Sequence, residues 1–373
     1  MIPKILEGVK VLDLTRLLPG PYCTWILSRL GADVIKIEAP NDDDYSRLTP
    51  LFDLINTKKQ SITLNLKKEE GKKIFLELVS KSDVVVEGFR PGVMDKLGLG
   101  YDELKKHNDS IIFCSISGYG QNGPYKDLPG HDINYISISG LLGINKAFNM
   151  PVIPGITIAD LSGGLFGALS VISNLYRRER FGKGTFIDVS MTDIVTQFFV
   201  IMFEGNVNQT LLTGEIPFYN IYKTKDNKFI SVGTIEEKFW RNFCLAIGRE
   251  DFIDRQYDKS IITEISEIFS KKTLEEWMNI FKKDENMVTP VYLPEEVFND
   301  PQIKYRKVFN KDDKILNFPV KFSSKKDDDL QVIDNRDRIM NKGPEKGENT
   351  EKILMDLGYS KKDIYRLKEK EII

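Results

Sequence analysis

Histidine is scarce in this sequence, since only two occur among 373 residues. His107 lies in the polar stretch KKHNDS, which is typical of a solvated loop or a helix end. His131 lies in GHDINYISISG, where an imidazole and a carboxylate open a predicted helix. Histidine suits proton transfer near neutral pH, but it is also a common capping residue. His131 is therefore the candidate histidine for acid–base catalysis, and the alternative is that it only caps the helix.

Cysteine is scarce as well. The sequence contains Cys23, Cys114 and Cys244, which are odd in number, far apart and set in apolar surroundings. This pattern argues against a disulfide framework and is typical of reduced intracellular thiols. No spacing of histidine and cysteine spells out a metal site, so we expect none.

The sequence also lacks an excess of charge and a recognisable targeting segment. Lysine and arginine total 53 against 55 acidic residues, so nothing global recruits nucleic acid or an anionic membrane. The N-terminal stretch MIPKILEGVKVLDL is no signal peptide, and no apolar run approaches the roughly 20 residues that span a bilayer. We therefore expect a soluble cytoplasmic protein without a nucleic-acid or membrane partner.

Short apolar runs rich in β-branched residues alternate with amphipathic stretches through the first half of the chain. The runs are VKVLDL, DVIKIE, DVVVEGF and IIFCSISG. This βαβ pattern predicts an α/β fold with a parallel sheet covered by helices. No G-x-G-x-x-G follows the first strand, so the Rossmann-like interpretation extends to topology and not to a dinucleotide site.

The pattern changes after about residue 195. The segment PFYNIYKTKDNKFISVGTIEEKFWRNFCLAIG predicts a hairpin followed by a helix, and LEEWMNIFKKD predicts another helix. A polar stretch over 322–349 is typical of a linker, after which the tail regains helical periodicity. The sequence therefore predicts a second, smaller α+β domain.

Two acidic residues stand at predicted helix starts. Asp160 begins a long helix whose first half is rich in glycine, so it is either an N-cap, as Ser162 could equally be, or a carboxylate that meets a substrate closely. Glu236 begins the helix after the hairpin, but Glu237 adjoins it and spacing does not choose between them.

Cations near the ends of predicted strands could bind an anion. Lys36, Arg90 and Lys96 lie where open α/β sheets bind ligands, although most surface lysines are only solvated. Arg90 is better placed, because it follows a strand in EGFRPGV and a planar guanidinium suits phosphate.

Several dispersed motifs resemble the family III CoA-transferases (CaiB/BaiF family) and their racemase relatives. These motifs are VKVLDL, GPYCTWILSRLGADVIKIE, EGFRPGVMDKLGLGYDEL, SGYGQNGPY, GKGTFIDVSMTD and GENTEKILMDLGYSKKDI. They follow the family's order from about residue 6 to the C-terminus. The nearest branch by these motifs is that of the α-methylacyl-CoA racemases.

The resemblance implies a particular architecture. A large Rossmann-like domain would be built from residues 1–195 and 345–373, and a small α+β domain from residues 220–310. Linkers over 196–219 and 311–344 would join them, and two chains would interlock as a homodimer. Active sites would then lie between the large domain of one chain and the small domain of the other.

The resemblance also implies site residues. In the racemase branch, GHDINY supplies a histidine base, which is His131 here, and an Asp at a helix start, here Asp160, supplies the second base. Glu236 in VGTIEEKF would support the histidine, from the same chain or its partner. The backbone of Asp132 would stabilise an enolate oxygen, and Tyr135 would line the thioester pocket.

The implied reaction is racemisation of 2-methylacyl-CoA thioesters through an enolate. Lys36, Arg90 and Lys96 would bind the CoA part of the substrate, and neither a metal nor another cofactor would be needed. The alternative is CoA transfer to a carboxylic acid, with Asp160 as a nucleophile that becomes an acyl anhydride. In PGITIADLSGG, Thr157 resembles the transferases, and a noncatalytic CoA-thioester-binding protein is a third hypothesis.

Overall fold

A computed structural model provides the structure of the protein. It describes residues 5–41, 44–147, 150–204, 209–282, 285–310, 315–316, 318–322, 331–332 and 342–373. Most of the predicted linker 311–344 lies outside these residues.

The strands follow one another along the chain as β1 Lys10–Leu14, β2 Asp33–Glu38, β3 Gln60–Thr63, β4 Val84–Glu87, β5 Ile112–Ser117, β6 Lys146–Ala147, β7 Met150–Pro151, β8 Thr185–Ser190, β9 Tyr219–Lys223, β10 Phe229–Gly233, β11 Val288–Val291, β12 Phe309–Asn310, β13 Ile315–Leu316, β14 Lys321–Phe322 and β15 Gln331–Val332.

The α-helices are α1 Pro19–Arg29, α2 Pro50–Asn56, α3 Glu69–Val79, α4 Val93–Lys96, α5 Tyr101–His107, α6 Asp132–Ile138, α7 Leu141–Ile144, α8 Ile158–Phe181, α9 Met191–Glu204, α10 Glu237–Ala246, α11 Ile262–Phe269, α12 Leu274–Phe281, α13 Pro301–Tyr305, α14 Thr350–Asp356 and α15 Lys361–Glu369. Short 3-10 helices lie at Tyr45–Leu48, Gln209–Leu212, Glu250–Arg255, Lys259–Ile261 and Val297–Asn299.

The chain divides into two compact units. The sheet unit comprises Met1–Ser139, Pro154–Gln197 and Lys307–Ile373, and the small unit comprises Gly140–Ile153 and Phe198–Arg306. Each unit has a hydrophobic core of its own.

The sheet unit is built on a six-stranded sheet in the order β3-β2-β1-β4-β5-β8, with every pairing parallel. The predicted α/β class and parallel sheet are therefore confirmed. The strands are largely apolar on both faces, as is usual for parallel sheets that helices cover on both sides. For example, Val84, Val85 and Val86 of β4 have no exposed surface.

The C-terminal helices belong to the same core as the first strands. Leu354 of α14 and Leu367 of α15 are buried in a cluster with Leu12 and Leu14 of β1. The backbone of Asn349 also donates to the carbonyl oxygen of Ser61 in β3, at 2.9 Å. Residues from both ends of the chain thus complete this unit.

The small unit is an antiparallel sheet with helices packed on it. Strands β9 and β10 form the predicted hairpin, and β11 pairs with β10 on the other side. Its core is largely aromatic, with the ring centroids of Phe269 and Trp277 4.9 Å apart. The indole N–H of Trp277 donates to the carbonyl oxygen of Phe269 at 2.9 Å, so the polar part of the ring is satisfied.

The expectation that no apolar run approaches the length of a membrane span is wrong for helix α8. Helix α8 has 24 residues and is long and apolar enough, by length and composition alone, to cross a membrane. In the structure it packs against α1, β5, β8 and α6. These contacts bury one side of α8, while Leu165, Leu169 and Tyr176 on the same helix are exposed.

The three cysteines are free and buried, as expected from their number and surroundings. Burial raises the pKa of Cys114 and Cys244, the latter to about 12, so both stay as thiols at neutral pH.

Candidate active site

The order of the parallel strands reverses beside β1. Strands β2 and β3 follow on one side of β1, and β4, β5 and β8 follow on the other. Because the loops after β1 and β4 lead away in opposite directions, open α/β sheets leave a crevice at this point, beside the carboxyl ends of the strands. The predicted site residues that follow β4 and β5 lie along this edge.

Helix α8 approaches its neighbours closely through its glycines. A Cβ atom at Gly164 would lie 2.5 Å from the carbonyl oxygen of Pro19 in α1. One at Gly163 would lie 2.6 Å from the side chain of Met191, and one at Gly167 3.0 Å from Ile116. Side chains at these positions would push α8 away. The glycines therefore fix where the first turn of α8, and Asp160 within it, lies.

Helix α6 is anchored beside the end of β5. Its buried Tyr135 donates a hydrogen bond to the carbonyl oxygen of Gly130 at 2.6 Å. The ring of Tyr135 contacts Tyr119 edge-on, with centroids 5.2 Å apart, and fills the space that a side chain at Gly118 would need. Burial, and next the charge of Asp160, raises the pKa of Tyr135 to about 12, so this phenol remains protonated.

His131 is the N-cap of α6, as the sequence predicts, and its side chain is exposed. Its backbone N–H donates to Oδ1 of Asn134 at 3.0 Å, which fixes the direction in which the chain enters the helix. The imidazole therefore stands at a defined helix start with access to solvent.

Asp132 joins the starts of two helices. It is 8% exposed, and its Oδ1 accepts hydrogen bonds from the backbone N–H groups of Ala159, at 2.6 Å, and Asp160, at 3.1 Å. The first N–H groups of a helix have no acceptor within it, so a carboxylate from elsewhere can satisfy them. The suggestion that Asp160 or Ser162 is itself the N-cap is wrong, because Thr157 occupies that position.

Asp160 is a partly buried carboxyl group with an unusual affinity for protons. Burial, and next the nearby negative charge of Asp132, raises its pKa from 3.8 to about 7. Within the described part of the chain, no hydrogen bond reaches the carboxylate oxygens of Asp160. A carboxyl group of this kind can both take and give a proton at neutral pH, which general acid–base catalysis requires.

Glu236 is the N-cap of α10 in the small unit, and Glu237 is the first residue of that helix. Both side chains are exposed. The helix start predicted for this segment is therefore confirmed, while the support of His131 by Glu236 stays a prediction.

The three predicted CoA-binding cations have different surroundings. Lys36 has no exposed surface, and its Nζ donates to the carbonyl oxygen of Thr15 at 2.7 Å and lies 3.8 Å from Asp44. Arg90 and Lys96 are exposed, just after β4 and at the end of α4 respectively. Arg90 and Lys96 thus offer charge to a ligand in solution, and contact of any of the three with CoA stays a prediction.

Two carboxyl groups buried at the same edge of the sheet, those of Asp13 and Glu87, are not among the residues that the sequence singles out. Asp13 and Lys59 form a fully buried ion pair at 3.0 Å, and Lys59 also donates to Thr24 and Asn56. Burial would raise the pKa of Asp13, but Lys59, Lys36 and the hydrogen bonds from Thr15 and Thr24 together outweigh burial and hold that pKa well below its usual range. The sequence feature that indicates a buried carboxyl group is the acidic residue Asp13 inside the apolar run VKVLDL.

A second buried carboxyl group ends β4. Glu87 accepts hydrogen bonds from the hydroxyl of Ser115 and from the backbone N–H of Phe89, the latter at 2.7 Å. Burial raises its pKa to about 7, although these two hydrogen bonds oppose the rise. Ser115 in turn accepts from the amide of Gln121 at 2.7 Å, so this network fixes the turn that carries Arg90.

No group of three or more histidine, cysteine, aspartate or glutamate side chains in the described ranges is arranged to hold a metal ion.

Comparison with known proteins identifies relatives of this chain in sequence and in structure. Human alpha-methylacyl-CoA racemase is 34% identical over 99% of this chain and 97% of its own. Human succinyl-CoA:glutarate CoA-transferase is 33% identical over 80% of this chain and 74% of its own. The crystal structure of a CaiB/BaiF family protein from Brucella suis superposes with a TM-score of 0.78 at 26% identity, covering 94% of this chain and 99% of that one.

The family model described as CoA-transferase family III matches residues 6–330. The family includes racemases and CoA-transferases, both of which act on acyl-CoA thioesters, and relatives of both kinds resemble this chain to a similar degree. From these matches and its fold, the chain belongs to CoA-transferase family III.

Proposed function

We propose that this protein racemises 2-methylacyl-CoA thioesters, with His131 and Asp160 as the two bases. The observation that carries the proposal is the junction of α6 and α8. Asp132, the residue after His131, is hydrogen-bonded to the backbone of Asp160 at 3.1 Å. A two-base reaction needs two proton-transferring groups beside one carbon atom, and these adjoining helix starts supply an imidazole and a carboxyl group.

The reaction needs no net change in the number of protons. One base removes the proton from the α-carbon, and the electron pair of the C–H bond moves to the thioester oxygen to form an enolate. The conjugate acid on the opposite face then returns a proton to the α-carbon, which inverts the centre. With a pKa of about 7, Asp160 supports both directions, because it is present at neutral pH in both protonation states.

The other residues have binding and supporting roles in this proposal. The backbone N–H of Asp132 stabilises the enolate oxygen, and Tyr135 lines the thioester pocket. Glu236, from the same chain or from its partner, orients His131, while Arg90, Lys96 and Lys36 bind the CoA part of the substrate. The chemistry uses no metal or additional cofactor, and the active form is a cytoplasmic homodimer.

CoA transfer is a second candidate, favoured by the similarity to human succinyl-CoA:glutarate CoA-transferase. In this reaction the Asp160 carboxylate attacks the thioester carbonyl carbon. The C–S bond breaks, CoA leaves as a thiolate, and an acyl anhydride forms on Asp160. The presence of His131 next to Asp132, which joins the two helix starts, favours racemisation, because transfer needs the carboxylate but no histidine base.

The test follows deuterium and chirality at the α-carbon of (R)-2-methylacyl-CoA in deuterated water, without a free acid. We expect deuterium incorporation with loss of optical purity. Asp160→Asn and His131→Gln should each lower the rate by at least about 100-fold, the lower end of what a general acid or base contributes. The matched control is His107→Gln, because His107 is the other histidine and ends α5. No exchange, followed by CoA transfer when a carboxylic acid is added, would establish the second candidate.

A further inference from the structure

Asp132 stands between the two proposed bases. It is joined to His131 by a peptide bond, and its Oδ1 accepts from the backbone of Ala159 and Asp160, 27 and 28 residues further along the chain. It is 8% exposed, so these bonds are shielded from competition with water. One carboxylate thus holds the start of α8 to the start of α6.

Both helices are otherwise fixed to the sheet by separate contacts. Helix α6 is fixed by the ring of Tyr135, which packs against Gly118, the residue after β5, and against Tyr119. Helix α8 is fixed through Gly164 and Gly167, one and nearly two turns beyond Asp160, against α1 and β5. The first turn of α8 lies at the end of this packed region. The two hydrogen bonds to Asp132 tie this turn directly to the start of α6, in addition to the packing of the glycines.

The electrostatic surroundings of Asp160 also point to Asp132. The elements packed against α8 carry the following titratable or charged groups: Asp132 and Tyr135 on α6, Tyr22, Cys23 and Arg29 on α1, Cys114 on β5, Asp188 on β8, and Asp193 and Glu204 on α9, with His131 just before α6. Of these, Asp132 is the charge that acts on Asp160, by raising its pKa in addition to burial. The positional contact and the charge effect come from the same side chain.

We propose that Asp132 is a positioning residue that holds Asp160 in register with His131 and keeps its carboxyl group ready to exchange protons. This inference rests on the proposed two-base function. The acceptor oxygen and the negative charge of Asp132 have separable effects. Asn retains a carbonyl oxygen at the position of Oδ1 without the charge, whereas Ala removes both.

The first experiment compares Asp132→Asn with Asp132→Ala in the deuterium-exchange assay across pH. Asp132→Ala should lower kcat about 100-fold, the scale expected when a catalytic group is displaced by about 1 Å. Asp132→Asn should retain kcat within about tenfold of the unaltered protein and move one limb of the pH profile to lower pH. A loss of stability alone would not move the pH profile.

The second experiment observes Asp160 directly and needs no activity. Carboxyl carbons of ¹³C-labelled aspartate are titrated by NMR, with the Asp160 signal assigned by its disappearance in Asp160→Asn. The signal should titrate at about pH 7 in the unaltered protein and at lower pH in Asp132→Asn. The matched control is Asp300→Asn, since Asp300 also accepts a helix N–H, that of Ile303 at 3.0 Å, but in the small unit. It should change neither the titration nor kcat.

The two experiments separate the inference from the proposed function. Unchanged titration of Asp160 in Asp132→Asn, or equal loss of kcat in the Asn and Ala variants, would overturn the role of Asp132. If the unaltered protein exchanges no α-proton but the Asp160 signal moves as expected in Asp132→Asn, the coupling of the two carboxyl groups stands and racemisation fails. If Asp132→Ala does not fold, Asp132→Asn and the NMR titration still decide the question.

Discussion

The two units bury different kinds of side chain. Within the described residues, all buried charged side chains lie in the sheet unit: Asp13, Arg29, Lys36, Glu38, Asp44, Lys59, Glu87 and Asp132. The buried polar residues described in the small unit are Thr224 and Thr234, and its core contains stacked aromatic rings instead. Burying a charge is costly unless it is paired and hydrogen-bonded. The buried charged side chains of the sheet unit therefore lower its stability relative to an all-apolar core. The described core of the small unit carries no such cost.

The largest expected effect tests the aromatic core of the small unit. Phe269 is fully buried and lies 4.9 Å from Trp277 and 5.2 Å from Tyr222 by ring centroids. Phe269→Ala should lower the free energy of unfolding by about 4 kcal/mol, from lost burial and the cavity left behind. Because the described neighbours of Phe269 in this core are uncharged, the loss should be equal at pH 5 and pH 8. Urea denaturation followed by tryptophan fluorescence measures it, and a marked pH dependence would contradict the comparison.

The next effect tests the buried ion pair of the sheet unit. Lys59→Met removes the ion-pair partner of Asp13 and leaves only the more distant charge of Lys36, so the poorly compensated buried carboxylate should lower the free energy of unfolding by about 3 kcal/mol. The loss should be smaller at pH 5 than at pH 8, because protonation of the unpaired Asp13 is easier in acid. The double variant Asp13→Asn/Lys59→Met should recover part of the loss. Denaturation followed by circular dichroism measures all three proteins, and no recovery in the double variant would contradict the pairing.

The smallest expected effect is the cost in stability of keeping the Asp160 carboxylate partly buried. Its folded pKa of about 7 is above the ordinary value of 3.8, so the folded state binds the proton more tightly than the unfolded state does. Stability contributed by this group is therefore present below pH 4 and is lost as pH rises toward 7. Asp160→Asn should be more stable than the unaltered protein by about 1 kcal/mol at pH 8, and equal to it at pH 4. Thermal unfolding at the two pH values checks this, and a lower Tm for the variant at pH 8 would exclude the burial effect.

Local sequence patterns predict much of this fold. Apolar β-branched runs predict β1, β2, β4 and β5, and the change in pattern near residue 195 predicts the hairpin of the small unit. The helix start at His131 is predicted by the polar pair that precedes an apolar stretch. These features are local because hydrogen bonds and side-chain periodicity within a few residues determine them.

The remaining features depend on contacts between distant residues. Lysine is usually solvated, so the sequence does not reveal that Lys36 and Lys59 are buried beside acids from other elements. Asp132 caps a helix that begins 26 residues later, and no local pattern specifies such a partner. The apolar character of α8 does not show as a continuous hydrophobic run, because small residues interrupt it, although an 18-residue window within the helix is apolar on average.

The contribution of residues 342–373 to the sheet unit has a consequence for the order of folding during protein synthesis. Ile372 accepts a hydrogen bond from the backbone of Asn65 at 2.7 Å, and Leu354 and Leu367 lie in the core with β1. The small unit, by contrast, is encoded within residues 140–306. The ribosome therefore releases all residues of the small unit before the sheet unit can close its core. The first strands, although synthesised first, must remain incompletely covered until the last helices emerge, which makes this interval the time when they are most exposed to aggregation.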